Sequence, residues 1–347
     1  PRMLQRAGYT TALIGKWGLG GPGSSGTPNN QGFDHFFGYL CQRHAHNHYP
    51  EFLFRNDQRV PLSNKVEGGR ADGAGVASEK KEYAYDLMEA EALEFLAQNK
   101  DRPFFLCLAV TLPHANNEAG HNGMEVPDFG QYAGRDWPQA EKGRAAMISR
   151  LDRGVGRILR RIKNLGLDEN TLVFFTSDNG PHREGGSDPN FFASNAPFRG
   201  IKRDLYEGGI RVPLIARWPG RIEAGTITGH VSAFWDFLPT LAVLAGGQTP
   251  SQTDGVCMAP TLLGVPRKQK QHQYLYWEFH ERGFAQAVRM GPWKAVRLPG
   301  GTLELYNLQT DPGETTNLAD GQPKILAAIR RCLAEARTES PYWPVEA

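Results

Sequence analysis

PFFLCLAV, Pro103 to Val110, contains no charge and no alternation of polar with apolar residues. A strand wetted on one face alternates, whereas one covered on both faces does not, so this run reads as a buried strand of the parallel-sheet kind. TLVFFTSD, Thr171 to Asp178, has the same texture. Each run follows an amphipathic helical stretch. YAYDLMEAEALEFLAQNK, before the first, lets Leu87, Leu93 and Leu96 share a face. AAMISRLDRGVGRILRRIKNLGL, before the second, spaces Ile148, Leu151, Val155, Ile158, Leu159 and Ile162 at helical intervals and is closed by Gly166. VPLIARW, Val212 to Trp218, is a third strand candidate, and SAFWDFLPTLAVLAG is a further helix stopped by Gly246. Helix followed by buried strand, repeated, predicts an α/β fold with a mostly parallel sheet.

After about Gly264 the pattern shortens. QYLYWEFH, FAQAVRMGPWKAVRL and LELYNLQ alternate and are bounded by turns, which predicts an antiparallel sheet, followed by a helix in PKILAAIRRCLAEARTES. The expected organisation is an α/β domain over residues 1–265 and a smaller α+β domain over residues 266–347. The 39 basic and 37 acidic residues are interspersed, for a net charge of +2, so no nucleic-acid footprint stands out. No apolar run approaches the length that crosses a bilayer. The four cysteines, Cys41, Cys107, Cys257 and Cys332, lie far apart and match neither a disulfide scaffold nor a zinc spacing.

The chain opens without an initiator Met or a basic and apolar leader. Pro1 to Gly8 reads as a short helix stopped by glycine, and Ala12-Leu13-Ile14 as the strand behind it. A start so close to a buried strand reads as a piece cut from a longer chain.

Ligands of parallel sheets gather beyond the carboxyl ends of the strands. There the sequence places Lys16 after Ile14-Gly15, His114 after Val110, and Asp178-Asn179 after Phe175; FRGIKRDLYEGG adds Lys202. Asp178 and Asn179 offer adjacent hard oxygens, suited to calcium or magnesium. Two lysines and an imidazole beside that cation favour a compact tetrahedral oxyanion, such as a sulfate or phosphate ester, and the charge developing as its bond breaks. His114 is placed to supply a proton to the leaving alcohol. Gly15, Gly18, Gly20 and Gly21 are expected to let the backbone approach the anion. Taken singly, Lys16 also reads as a solvated strand end, SDNG as a turn, and LPH as an exposed loop histidine. Their joint occurrence carries the chemical reading.

The ordered set AGYTTALIGKWGLG, GFDHFFGYL, RPFFLCLAVTLPHA, VFFTSDNG, FRGIKRDLYEGGIRVPLIARWPG and LYNLQTDPGETTNLA resembles the formylglycine-dependent, type-I sulfatases of the alkaline-phosphatase-like superfamily. The resemblance implies an α/β/α sandwich with a C-terminal α+β domain. It implies Asp178 and Asn179 as ligands of Ca2+ (or Mg2+), and Lys16 touching the sulfate and the nucleophile. His114 and Lys202 would hold sulfate and ester oxygen, His114 or its partner protonating the departing alcohol. The implied substrate is a small-molecule or carbohydrate sulfate ester, with neither nucleic acid nor membrane as partner.

Two departures stand out. No C/S-x-P-x-R, the source of formylglycine, occurs in the 347 residues, and no upstream Asp-Asp strand end does either. Formylglycine is therefore expected from an N-terminal segment outside this chain, and the chain alone is expected to be inactive. Gly18 also stands where the family usually has His. QRHAHNHYP nearby offers His44, His46 and His48, which in an extended segment would face one way, with His46 the candidate for the substrate pocket. WEFHERG, with His280 and Glu281, is a further candidate for substrate contact. Specificity is expected from the loops Cys41–Asn56 and Glu118–Asp136. The competing readings are a phosphodiesterase or phosphonate hydrolase of the same superfamily and a non-catalytic anion binder.

Overall fold

The computed structural model describes residues 1–345. Helix α1 (Arg2–Arg6) leads into β1 (Thr10–Lys16), which is buried except at its ends. Next come β2 (His35–Tyr39), the hairpin β3 (Phe52–Arg55) and β4 (Gln58–Pro61), helix α2 (Ala84–Gln98) and β5 (Phe104–Ala109). These strands form one sheet in the order β4-β3-β2-β1-β5. Its centre is parallel: Ile14 pairs with Phe37 on one side and Leu108 on the other. The hairpin adds two antiparallel strands at the β2 edge, so the sheet is mixed around a parallel core. Strand β3 occupies part of the stretch expected to be a specificity loop.

Ala12, Ile14, Phe37, Tyr39 and Leu53 of the sheet pack with Met88, Ala92 and Phe95 of α2 in one core cluster. Burying each large side chain fully contributes about 1.5–3 kcal/mol. The helix turns Met88, Ala92 and Phe95 inward, with Leu96 beside them, while Leu87 and Leu93 are half-buried. Helix α3 (Gln139–Asn164) likewise differs from expectation. Met147, Gly154 and Ile162 are among its buried residues, and Ile148 faces out. A Cβ at position 154 would lie 1.9 Å from the Tyr85 hydroxyl, so the glycine is what lets α2 and α3 approach.

Strand β6 (Val173–Thr176) does not join the large sheet. After the short helix α4 (Glu207–Ile210) comes β7 (Leu214–Arg217), and the two pair antiparallel in a sheet of their own. Parallel alignment, expected of both runs, is thus confined to β1, β2 and β5. The expected helix near Trp235 is α5 (Phe237–Leu244), entered by a 3-10 turn and followed by the short α6 (Ala259–Leu262).

The C-terminal pattern folds as read. Strands β8 (Leu275–Phe279), β9 (Ala285–Met290), β10 (Trp293–Arg297) and β11 (Leu303–Asn307) form an antiparallel sheet in the order β11-β10-β9-β8. Ile329 and Leu333 of α7 (Pro323–Glu335) pack on Val288, Ala295 and Leu305. Leu205 and Tyr206 pack on Ala287, Val296 and Tyr306, which fastens the chain just after Lys202 to this sheet.

Candidate active site

Lys16 ends β1 because Gly15 before it admits a backbone no other residue would accept. Gly15 has φ +126°, and a Cβ there would lie 2.0 Å from the Ala109 carbonyl oxygen. Its register partner Gly38 is equally crowded, with Gly15 O 1.9 Å from a Cβ. A Cβ at Gly18 would meet Gln42, and one at Gly20 would meet the Gly26 backbone. Of the four glycines expected to let the backbone approach an anion, Gly15, Gly18 and Gly20 also allow close packing of the chain against itself, whereas a Cβ at Gly21 would meet nothing within 4 Å.

Lys202 Nζ donates to His114 Nε2 at 3.0 Å, and Glu184 Oε2 lies 3.3 Å from the same ammonium. His114 Nδ1 is 2.7 Å from the Ala115 carbonyl, which can only accept, so the imidazole proton sits on Nδ1 and the Nε2 lone pair faces Lys202. Burial and then the Lys202 charge push His114 down to about 3, so the ring is neutral near pH 7. The proton available at this spot is thus on Lys202. Of the two expected donors, His114 or its partner, the partner is Lys202. Lys16 shares the field: burial lowers its pKa, the Lys202 charge adds to this, and Asp178 and Glu184 oppose it.

Glu184, to which the sequence assigned no role, is the hub. Besides Lys202 it pairs with Arg203, which in turn pairs with Glu281. Burial alone would raise its acid, but the Arg203 hydrogen bonds and the nearby positive charges hold it down to about 2. His182 Nδ1 accepts from the Glu184 amide at 3.1 Å, and its Nε2 lies 3.3 Å from the Pro113 carbonyl, so this ring too is oriented. Arg203 sits at φ +80°, a conformation rarely taken by non-glycine residues and concentrated at functional sites. Glu281, one of the two candidates from WEFHERG, reaches the site through Arg203; His280 instead packs edge-on against Trp343.

The three nearby histidines do not share a face. Residues 44–46 form a 3-10 turn rather than an extended segment. His44 is buried against Tyr39 and Phe52, and His48 Nε2 lies 2.8 Å from the His114 carbonyl. Only His46 reaches the imidazole of the pair. Its ring stacks on His114 with centroids 5.2 Å apart and an 8° interplanar angle, while its Nδ1 lies 3.1 Å from Glu118.

Asp178 and Asn179 line a cleft of about 500 Å³ together with Lys202, Arg203 and Glu281. Asp178 is exposed and, among the described residues, has no cationic side chain within 4 Å, and Asn179 Nδ2 donates to Gly180 O at 2.8 Å, leaving its Oδ1 free to accept. Two unengaged hard oxygens side by side fit a calcium or magnesium ion in kind. In number they make part of a shell: among the described residues, no group of three His, Cys, Asp or Glu is placed to hold an ion.

Comparisons with known proteins place the chain in a family. A family model described as Sulfatase matches residues 1–247, and one described as N-sulphoglucosamine sulphohydrolase, C-terminal, matches residues 200–339. The chain belongs to the sulfatase family, in the alkaline-phosphatase-like superfamily. It is 31% identical to human arylsulfatase A over 382 residues, covering 95% of this chain and 69% of that protein. It is 32% identical to mouse N-acetylgalactosamine-6-sulfatase over 302 residues, covering 85% of this chain and 53% of that protein. Among solved structures, Ps i-CgsB in complex with k-i-k-neocarrahexaose superposes with a TM-score of 0.81 at 25% identity, covering 99% of this chain and 75% of that one.

Proposed function

We propose that this chain supplies the sulfate-binding and proton-donating part of an enzyme that hydrolyses sulfate monoesters of carbohydrates. The observation that carries the reading is the Lys202–His114–Glu184 constellation, with Lys16 in its field and Asp178-Asn179 in the adjoining cleft. Lys16 and Lys202 neutralise the anion. Lys202 Nζ also donates its proton to the ester oxygen as the alcohol departs, and His114 Nε2, accepting from that ammonium, fixes its direction. Glu184 and Arg203 act as positioning residues: the carboxylate holds the Lys202 ammonium beside His114, and Arg203 moderates the repulsion between that carboxylate and the substrate. His46, stacked on His114, covers one face of the ring and forms a wall of the substrate pocket.

Asp178 and Asn179 would hold the Ca2+ or Mg2+ ion with further ligands, and an ion held there would supply Lewis-acid stabilisation of the sulfate's charge. The nucleophile in this reading is a formylglycine hydrate from residues other than these 347, which contain no C/S-x-P-x-R. The purified 347-residue chain is therefore expected to release no phenol from an aryl sulfate above the buffer rate. Turnover that survives repurification and disappears in Lys202→Ala would contradict the assignment of the nucleophile.

A further inference from the structure

The segment from Ser187 to Ile201 leaves the site directly after Glu184–Gly186 and returns to it at Lys202, so both of its ends are anchored where Glu184 meets Lys202. Phe191 and Phe192 stand at that tip. Phe192 is eight residues from Glu184, and at no more than about 3.5 Å per residue it lies within about 28 Å of it. The two phenyl rings meet edge to face, centroids 4.7 Å apart, and expose 41% and 40% of their surface. Trp137, from the loop before α3, lies 5.8 Å and 5.2 Å from them and is backed by Tyr132 at 5.7 Å.

The tip is pinned rather than loose. Arg144 Nη1 donates to Ser187 Oγ at 3.2 Å, its other terminal nitrogen donates to Ser194 Oγ, and its guanidinium lies 5.7 Å from the Phe192 ring. Glu141 accepts from the Asp188 amide at 2.5 Å. Arg135 places its guanidinium 5.7 Å from the Trp137 ring, and among the described residues no carboxylate lies within 4 Å of it. A fixed aromatic group exposed beside a free guanidinium, on a loop whose two ends lie in the site, is a recognition surface rather than a core fragment.

We propose that Trp137, Phe191, Phe192 and Arg135 form a distal subsite for the glycan part of a sulfated substrate. The proposal rests on the reading above that the enzyme acts on carbohydrate sulfates. The C–H face of a sugar ring lies on flat aromatic surface at small entropic cost, because Trp and Phe have few rotatable bonds. The Arg135 fork matches the oxygens of a second sulfate. A purely apolar partner would cover the rings but would leave this guanidinium unanswered, so the paired chemistry selects a sulfated saccharide.

The test is calorimetric titration of the full 347-residue chain with hexasaccharides of carrageenan, chondroitin sulfate and heparin, each beside its sulfated monosaccharide. At least one hexasaccharide is expected to bind about tenfold or more tighter than its monosaccharide. Phe192→Ala and Trp137→Ala are expected to remove most of that advantage and to leave the monosaccharide unchanged. Phe191→Ser and Arg135→Gln, both at exposed positions, provide variants that do not perturb the pinned base of the loop. Equal affinity for long and short ligands, no effect of these four changes on the hexasaccharide, or no hexasaccharide binding at all would overturn the subsite. Lys202→Ala separates the two readings: it should weaken both ligands, and if it weakens neither while the aromatic variants weaken the hexasaccharide, the subsite stands and the proposed sulfate site fails.

Discussion

Lys202→Ala, made in the protein together with its nucleophile, is expected to lower kcat for a sulfate ester by about 10²- to 10³-fold, the size seen when one fixed donor to a developing oxyanion is removed. The loss has two sources. The ester oxygen loses the ammonium that would protonate it, and the anion loses a positive charge that Glu184 and His114 hold in place at 3.3 and 3.0 Å. His114 cannot take over the donation, because burial keeps it neutral and its one proton points at the Ala115 carbonyl. Lys202→Arg should recover little, since a planar fork does not reproduce a point donor. Paired measurements of kcat and thermal midpoint check the claim. A kcat within tenfold of the parent, in a variant that folds normally, would take the proton-donor role away from Lys202.

Lys294→Met is expected to cost about 3–5 kcal/mol of folding stability, as breaking a buried ion cluster on one side typically does. Lys294 is fully buried, with Nζ 2.9 Å from Glu207 Oε1 and 3.4 Å from Glu314 Oε1. Both carboxylates are buried as well, and the Glu207 amide donates to Glu314 Oε2 at 2.6 Å. Without the ammonium, two acids face each other and, among the described residues, Arg211 and Arg289 at 3.6 Å from Glu207 Oε2 are the remaining cations within 4 Å of them. Burial already raises the Glu314 pKa against the pull of Lys294, so loss of the lysine should drive that acid further toward its neutral form. Urea unfolding of the chain and its variant measures the effect. Adding Glu314→Gln to Lys294→Met should restore part of the loss. A change below about 1 kcal/mol would mean that the cluster does not hold β10 to the chain after Lys202.

The link between this cluster and the site is short. Glu207 opens α4 five residues after Lys202, and Leu205 and Tyr206 between them pack on β9, β10 and β11. Neither the cluster nor the hub at Glu184 was legible in the sequence, for one reason. Lys294 and Glu207 are 87 residues apart and Lys202 and Glu184 are 18 apart, and no local pattern encodes either pairing. The parallel core, by contrast, could be read as strands from Ile14 and PFFLCLAV, but of these runs the expected cover on both faces is met only by β1. Strand β5 lies at the sheet edge and is half-buried along its length, and Phe175, Leu214 and Ile215 of the other two runs are exposed. The same texture in TLVFFTSD and VPLIARW fixed them as strands without fixing their partners; they pair with each other, antiparallel. Lys16, His114 and Lys202 were legible as strand-end or loop residues in a family order. Which of them holds the proton was not, because that depends on a single carbonyl, Ala115 O, beside the His114 ring. QRHAHNHYP misled because alternation implies a common face only in an extended chain, and residues 44–46 turn.

In the proposed site, Lys16, His114 and Lys202 converge with Asp178 and Asn179 on one tetrahedral anion. Crystals of the chain soaked in tungstate, a tetrahedral oxyanion with a strong anomalous signal, test it directly. The expected result is an anomalous peak for a tungstate whose oxygens lie at hydrogen-bond distance, about 2.7–3.2 Å, from the Nζ atoms of Lys16 and Lys202. Tungstate bound only at other surfaces, with these two lysines turned away from each other, would contradict it.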